Sequence, residues 1–251
     1  MISFVHLLFL TCFCVVSPML TTKVRFFHQQ PNIPRLTFIG TLPTVRELTL
    51  AYWVKFYQIE GYSNNVFSYA RSDDDNEIVT WMRSEKGIVH IMLRVHTGSG
   101  NEAVVTCPGI VPDLWQHITW TWSANSGAVS FYLNGKRCSN TTTLVSKNKE
   151  VRPGGMVVLG ADQDSVGGGF KVTETLQGEL ADLHLWDEVL DEDQISILPS
   201  SSCTRQSDLE SHGNLIDWSS SAFRAFDGVS FHPTTLCLRR THKCHSDACK
   251  Y

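Results

Sequence analysis

Hydrophobic and polar side chains alternate in short stretches along most of this chain. In residues 48–57, one set of alternate positions is Leu50, Tyr52, Val54 and Phe56, and the other is Thr49, Ala51, Trp53 and Lys55. Aromatic side chains appear in both sets. A period of two is typical of a β-strand, whose successive side chains point to opposite faces of a sheet. Short apolar or alternating runs predict further strands at residues 36–39, 64–69, 78–82, 88–95, 103–106, 117–122, 128–133 and 156–159.

Residues 117–138 are predicted to form consecutive antiparallel strands. Asn134-Gly135 favours a two-residue type I′ turn, so residues 128–133 should pair with residues 136–138. Trp120 and Trp122 share one face of their strand, and we assign that face to the core rather than to a platform that stacks sugars or bases. His117 is likewise assigned to structure rather than to catalysis.

One helix is predicted in the last third of the chain. Asp191 is followed three residues later by Gln194, which is a capping-box arrangement. Ile195 and Leu198 follow at helical spacing, and Pro199 is expected to end the helix. Many short strands and a single helix predict an all-β sandwich.

The composition agrees with one large domain. The chain has 251 residues, of which 42% are hydrophobic and 18% are charged, so it can bury a sizeable core. Its formal net charge of −4 argues against nucleic acid as a partner, because phosphate binding needs a basic surface. The same charge is compatible with acidic sites that bind cations.

Residues 1–20 are predicted to be a signal peptide. Residues 2–20 contain no Lys, Arg, Asp or Glu, and this apolar run is short for a membrane span. An uncleaved anchor is the alternative. No other apolar run approaches membrane length, so we expect a secreted, extracellular chain with one domain over residues 21–238 and a short tail over residues 239–251.

Six cysteines lie outside the predicted signal peptide: Cys107, Cys138, Cys203, Cys237, Cys244 and Cys249. An even number in a secreted chain predicts disulfides. Cys107 and Cys138 lie at strand ends near one hairpin and form one candidate pair, and Cys244 with Cys249 forms another. Zinc bound by the tail cysteines and the histidines between them is the alternative for that segment. Asn140 begins a glycosylation sequon, so it is expected on an exposed loop.

The stretch Asp162-Gln163-Asp164 follows a predicted strand and precedes three glycines at residues 167–169. Three oxygen-bearing residues therefore share one bend, and the glycines let the backbone fold back. Calcium takes about six to eight oxygen ligands from carboxylates, amides and main-chain carbonyls. The loop predicts a cation site, and a solvated turn capped by the Asp side chains is the alternative.

A second acidic cluster, Asp73-Asp74-Asp75-Asn76-Glu77, precedes the predicted strand at residues 78–82. Acids this close repel one another unless a counter-charge lies among them or they extend into water. Two acidic loops, each beside a strand, are able to converge on one cation. A polar hairpin tip is the alternative.

Several stretches, taken in their order along the chain, resemble the pentraxin family, which includes C-reactive protein and serum amyloid P component. They are Asp75-Asn76-Glu77-Ile78, His117-Ile118-Thr119-Trp120-Thr121-Trp122, the run from Leu159 to Phe170, Leu176-Gln177-Gly178-Glu179, Leu185-Trp186-Asp187 and Asn214-Leu215-Ile216-Asp217-Trp218. Such a combination is far more specific than any single motif.

The resemblance implies a two-sheet antiparallel jelly roll, like the laminin G and concanavalin-like domains, with one short helix on one face and calcium on the opposite face. The sequence shows no Ser-His-Asp order, paired-carboxylate cleft or metal-hydrolase motif, so we do not expect an enzyme. By the motif match, a first calcium is expected to take side-chain oxygens from Asp75, Asn76, Asp162 and Asp164, and the main-chain carbonyl oxygen of Gln163. The implied partners are an anionic or phosphorylated small ligand, a glycan or a protein, and the chain is expected to form a homo-oligomer if it is the lectin-like member of the family.

The second calcium site departs from the family pattern. Pentraxins place a Glu just after the Gly-Gly-x-Phe of this loop, where this chain has Lys171, and Glu174 stands where a Gln is common. Glu174 remains a candidate metal ligand, but an ammonium group repels a cation. Lys171 is instead expected to pair with Asp162, Asp164 or Glu174. The alternative is that Lys171 extends into solvent and that Glu174 and a water complete a weak second site. The second calcium normally presents an open position to the ligand, so we expect fewer calcium ions and no phosphocholine bound through a second ion.

The cysteines also depart from the family pattern. The usual family disulfide joins two positions that are Trp53 and Thr119 here, and these side chains are expected to face each other and fill the space. Cys203 and Cys237 bracket residues 214–218, which resembles the pentraxin-like modules of some adhesion G-protein-coupled receptors and implies a Cys203–Cys237 disulfide. Two functions therefore stay open: a secreted calcium-dependent pattern-recognition lectin, or an interaction module, such as a receptor domain, whose calcium is mainly structural.

Overall fold

A computed structural model of the protein describes residues 20–26, 33–98, 100–141, 144–201, 212–226 and 228–236. The elements in these ranges are β1 (Leu20–Phe26), β2 (Arg35–Phe38), β3 (Glu47–Phe56), β4 (Asn64–Arg71), β5 (Asp74–Glu85), β6 (Ile88–Val95), β7 (Glu102–Thr106), β8 (Gln116–Ser123), β9 (Val129–Leu133), β10 (Lys136–Thr141), β11 (Met156–Leu159), a 3-10 turn (Val172–Glu174), β12 (Gly178–Trp186), α1 (Glu192–Ser201), β13 (Ile216–Asp217), β14 (Phe223–Phe226) and β15 (Val229–Thr235).

The strands form two antiparallel sheets. One has the order β10-β9-β8-β3-β12-β1-β15, with β13 added to β12, and the other has the order β14-β2-β11-β4-β5-β6-β7. We call them the helix-side sheet and the loop-side sheet, because α1 packs on the first and the acidic loops leave the second. The predicted all-β, two-sheet antiparallel jelly roll with one short helix is confirmed.

The alternation in β3 places every second side chain between the sheets. Leu50 and Val54 are fully buried there, together with Trp120 and Trp122 of β8. The tryptophans therefore fill the core, as predicted, and are closed to a ligand. Burial of this much apolar surface is the main favourable contribution to the stability of a sandwich.

The outer face of the helix-side sheet is also covered. Trp53 lies there with its ring 5.4 Å from the ring of His117, which it faces across the strand pair, while Thr119 faces Ala51. The expectation that Trp53 faces Thr119 is therefore wrong by two residues in register. Burial lowers the pKa of His117 to about 3, so its imidazole is neutral and packs as a structural side chain.

The predicted hairpin and helix cap are both present. Asn134 and Gly135 have φ values of 54° and 73°, as a type I′ turn requires. Asp191 Oδ1 accepts from the backbone N–H of Gln194 at 2.8 Å, and Gln194 Oε1 accepts from the backbone N–H of Asp191 at 2.8 Å. The expectation that Pro199 ends the helix is wrong, because Pro199 lies inside the last turn. Pro199 lacks the N–H that would donate to the carbonyl oxygen of Ile195, but only two helical residues follow it, so it disturbs the final turn alone.

Strand β12 was not predicted, although it lies at the centre of the helix-side sheet between β3 and β1. Its pairing with β3 shifts between Ala181 and His184, and Asp182 in this bulge has a φ of 53°. A bulge inserts one extra residue and moves the following side chains to the other face. The period-two pattern is therefore broken in the middle of the strand, which hides it in the sequence. Strands β1, β13, β14 and β15 were also not predicted.

Cys107 and Cys138 form a disulfide with their Cα atoms 5.9 Å apart, the pairing expected from their positions.

Other predicted features fall partly or wholly outside the described residues. The proposed pairs Cys203–Cys237 and Cys244–Cys249, the tail, and residues 1–19 of the predicted signal peptide lie outside the described residues. Asn140 lies in β10, but its side chain and the last residue of its sequon are also outside them. No helix in the described ranges is long and apolar enough to cross a membrane.

Candidate metal centre

The loop after β11 is held against the loop-side sheet by a buried glutamine. Gln163 Nε2 donates to the carbonyl oxygens of Ser68 and Met156, each at 3.0 Å, and Gln163 Oε1 accepts from the backbone N–H of Gly167 at 2.9 Å. These bonds fold the loop back along β11 toward the end of β4. They also occupy the Gln163 side chain, so its main-chain carbonyl is the oxygen that fits the predicted role as a ligand.

The entry to this loop requires glycine. Gly160 has a φ of 88°, and a Cβ atom there would lie 2.3 Å from the ring of Phe26. The next residues run beside the segment after the 3-10 turn, because the backbone N–H of Asp162 donates to the carbonyl oxygen of Glu174 at 3.0 Å. This pairing brings three predicted ligands, Asp162, Asp164 and Glu174, to one place.

Asp162 is an acid in an unfavourable environment. Its pKa is raised to about 6, chiefly by burial and further by the negative charges of Glu174 and Asp164. Hydrogen bonds from the Gln163 backbone N–H, at 2.9 Å, and from Ser68 oppose this rise without cancelling it. Glu174 Oε2 lies nearby and receives no hydrogen bond, although the Lys171 ammonium group is 3.3 Å away. The Asp162 carboxylate is therefore the group here that a hard cation would stabilise most.

Lys171 supplies the cation that lies at this cluster. Its Nζ is 2.7 Å from Asp164 Oδ2 and 3.3 Å from Glu174 Oε2, while its side chain stays 55% exposed. Of the three acids that the sequence offered as partners, two are therefore engaged, and Asp162 is not in contact with the ammonium group. The lysine compensates the outer part of the cluster, and the buried carboxylate is left without an ion-pair partner.

Asp75 and Asn76 lie at the start of β5, on the strand that flanks β4 on its other side. Asn76 Nδ2 donates a hydrogen bond to Asp75 Oδ1 at 2.7 Å, so the polar ends of the two side chains lie next to each other. Both predicted loops therefore flank β4. Among the residues that the structure describes, no hydrogen bond or ion pair links the Asp75–Asn76 pair to the loop of Asp162.

The remaining acids of the β4–β5 cluster are not available to a cation. Arg152 reaches them from a distant part of the sequence: its Nη2 lies 2.6 Å from Glu77 Oε2, and its Nη1 lies 2.8 Å from Asp73 Oδ2. His96 Nδ1 lies 3.4 Å from Glu77 Oε2 and 3.5 Å from Asp74 Oδ2. Burial alone would raise the pKa of Glu77, but hydrogen bonds from His96 and Arg152 hold it at about 2.

Sequence reasoning left open whether this cluster had a counter-charge, and it missed Arg152 as the source. No spacing signal links a lone arginine to acids more than 70 positions earlier in the chain. Asp74, Glu77 and His96 bring potential ligand atoms within 4.8 Å of one another, but the guanidinium group already compensates them. Asp75 and Asn76 are the members of the cluster that take no part in these ion pairs with Arg152 and His96.

Comparison with known proteins identifies the family of this chain. The sequence matches the Pentaxin family over residues 25–233. This chain belongs to the pentraxin family. It is 38% identical over 238 residues to a C-reactive protein 1.1 of Limulus polyphemus, covering 94% of this chain and 95% of that protein. A native heptameric SAP-like pentraxin from Limulus polyphemus has a TM-score of 0.75 at 34% identity, covering 86% of this chain and 95% of that one.

A receptor region shares the fold at lower similarity. The full extracellular region of zebrafish Gpr126/Adgrg6 has a TM-score of 0.58 at 15% identity, covering 82% of this chain and 26% of that one. Identity this low carries the architecture and nothing about function. The predicted resemblance to adhesion-receptor modules therefore rests on the cysteine positions alone.

Proposed function

We propose that this pentraxin is an extracellular calcium-dependent binding protein. Asp75, Asn76, Asp162 and Asp164 would hold one calcium through side-chain oxygens, with the main-chain carbonyl of Gln163 as a further ligand. The observation that supports this most is the partly buried Asp162 carboxylate, whose pKa is raised to about 6 by desolvation and by the nearby Glu174 and Asp164. Calcium would supply the positive charge that this carboxylate lacks.

The ligand class follows from the charge of the bound ion. A calcium on an outer face attracts anionic or phosphorylated groups on small molecules, glycans or proteins. Lys171 stands beside the acids where a second ion would bind, and it stays more than half exposed. We infer that the lysine takes part in anion binding in place of a second calcium, and that the chain binds rather than transforms its ligand.

A second candidate is an interaction module whose calcium is mainly structural, as in a receptor domain. The ion pairs of Lys171 with Asp164 and Glu174 favour this reading, because they already satisfy the outer acids. Ring assembly separates the two candidates. A heptameric relative is known in Limulus, and we propose a cyclic homo-oligomer here too, which sedimentation of the purified protein would report as a multiple of the chain mass.

The experiment that tests the function is binding to immobilised phosphocholine, phosphoethanolamine and acidic glycans, with calcium or with a chelator. Asp164→Asn removes one proposed ligand charge, and Asp113→Asn removes the same charge from an exposed site in another loop. We expect binding that needs calcium and is lost in Asp164→Asn but kept in Asp113→Asn. Binding that persists in chelator, or that both variants retain, would refute the proposal.

A further inference from the structure

We propose that His184, His212 and Asp217 form a second metal site, specific for transition metals, on the helix-side sheet. Asp217 Oδ1 lies 3.5 Å from His184 Nδ1 and 3.2 Å from His212 Nδ1. The three ligand atoms all lie within 4.8 Å of one another. Around tetrahedral zinc, with bonds of about 2.0–2.2 Å, neighbouring ligand atoms are about 3.3 Å apart, so both nitrogen–oxygen separations already fit.

The fold brings these residues together from two segments. His184 follows the bulge in β12 and lies on the same face as Trp186, which packs against α1 on the outside of the sheet. Asp217 is its partner residue on the short strand β13. A Cβ atom at Gly213 would lie 2.2 Å from the carbonyl oxygen of Ile216 and 2.6 Å from the backbone nitrogen of Leu185, so glycine lets the backbone next to His212 press onto β12.

The orientation of His184 leaves the correct nitrogen for a metal. Its Nε2 lies 3.3 Å from Asp182 Oδ1, and its Nδ1 accepts from the backbone N–H of Gly213 at 3.3 Å. The proton is therefore on Nε2, and Nδ1 carries the lone pair, which would exchange the long hydrogen bond from Gly213 for a bond to the metal. A carboxylate behind a histidine ligand is the usual support of a metal-bound imidazole, because it fixes the tautomer and the ring.

Asp217 is held rigidly. Its oxygens accept from the backbone N–H of Ser219 at 3.0 Å, from the Ser219 hydroxyl at 2.9 Å and from the Ser220 hydroxyl at 2.8 Å. In the metal-free chain the proton on His212 Nδ1 is directed at Asp217 Oδ1. A bound ion would take the place of that proton, which leaves to solvent, and Asp217 would keep its other hydrogen bonds.

The donor set and the exposure define the kind of ion. Two imidazole nitrogens and one carboxylate oxygen suit zinc, copper or nickel, whereas calcium prefers oxygen alone. The His184 side chain is 7% exposed and the His212 side chain is 28% exposed, so an ion can enter past His212. Three protein ligands leave a coordination position for water or for a group of a partner. This site lies in the other sheet from the calcium loops and does not depend on the proposed function.

The test is calorimetric titration of the full chain with zinc in saturating calcium, which keeps zinc out of the acidic loops. We expect one zinc per chain. Asp182→Asn should weaken it by about 10- to 100-fold through loss of the supporting carboxylate. His212→Ala removes a ligand itself and should weaken zinc binding more than loss of the supporting carboxylate does, by about 100-fold or more. Cobalt bound to the wild type should show the intense visible absorption of a four-coordinate site, and His212→Ala should lose it.

Two controls keep the result interpretable. His232→Ala removes an exposed histidine on β15, outside the cluster, and should leave zinc affinity unchanged. His242→Ala with His245→Ala removes the tail histidines and should also leave it unchanged. No zinc binding up to millimolar concentration, equal affinity in His212→Ala and wild type, or loss of binding in the tail variant would each overturn the proposal. Far-ultraviolet circular dichroism verifies that every variant is folded.

Discussion

Replacing Asp162 by asparagine should stabilise the calcium-free protein and destabilise the calcium-loaded one. Asparagine has nearly the same shape, and its Oδ1 can accept the hydrogen bonds that Asp162 accepts from the Gln163 backbone N–H and from Ser68. What changes is the charge. In the absence of a cation, this charge is buried beside Glu174 and Asp164, which raise the pKa of Asp162 in addition to the effect of burial.

The magnitude follows from the pKa. A rise from 3.8 to about 6 corresponds to roughly 3 kcal/mol, since each tenfold change in proton affinity is about 1.4 kcal/mol. The folded chain holds this proton more tightly than the unfolded chain does. Its stability is therefore reduced as the pH rises from about 4 to about 6, and it stays reduced above that. Asp162→Asn removes this loss and should gain up to about 3 kcal/mol at pH 7.5 in chelator.

Urea unfolding of both proteins between pH 4 and pH 8, with and without calcium, measures the effect. In chelator the difference in unfolding free energy should be near zero at pH 4 and grow to its full value above pH 6. In calcium the order should reverse, because the wild type gains binding energy that the variant has lost. Asp113→Asn should match the wild type within about 0.5 kcal/mol. A variant that is less stable than the wild type in chelator at pH 7.5 would refute the reasoning.

Three further predictions follow from the same contacts. Lys171→Glu should raise the calcium count from one to two per chain by replacing a repelling charge with a ligand, whereas Lys171→Ala should not. An unchanged count in calorimetry would make the lysine a bystander. Replacing both Cys107 and Cys138 by serine opens a loop of 31 residues and should cost about 3–4 kcal/mol in urea unfolding, and a loss below 1 kcal/mol would contradict this. Glu77→Gln should cost up to about 3 kcal/mol at pH 7, because the fall in the Glu77 pKa from 4.5 to about 2 corresponds to roughly that much stabilisation of its charged form. Since the pKa of Glu77 is held at about 2, its contribution is present above pH 4.5 and is lost as the pH falls toward 2, so the two proteins should converge there.

The sequence predicted the regular parts of the fold because local rules determine them. Alternation in β3 and the Asn134-Gly135 turn depend on neighbouring residues alone, and both are present. Strand β12 escaped because the bulge at Asp182 breaks the alternation. Pro199 was given the wrong role, since the helix continues for two residues past it despite the hydrogen bond that its missing N–H removes.

The candidate sites also combine residues that could be predicted from their sequence neighbours with residues that could not. Asp162, Gln163 and Asp164 are adjacent in sequence, so their shared bend was visible in advance. The counter-charge of the β4–β5 cluster was not, because Arg152 reaches Glu77 only through the pairing of distant segments. His184, His212 and Asp217 likewise meet only because β13 pairs with β12 beyond the bulge. Residues that meet through such tertiary contacts leave no spacing pattern in the chain.

Calcium titration by calorimetry tests the central claim most directly. The account predicts one calcium per chain in the wild type, retained in Asp113→Asn and lost or sharply weakened in Asp164→Asn, with an increase in melting temperature that only calcium produces and chelator removes. It would be contradicted by a wild type whose heat of binding and melting temperature ignore both calcium and chelator across the physiological range, or by two calcium ions bound per chain with Lys171 in place.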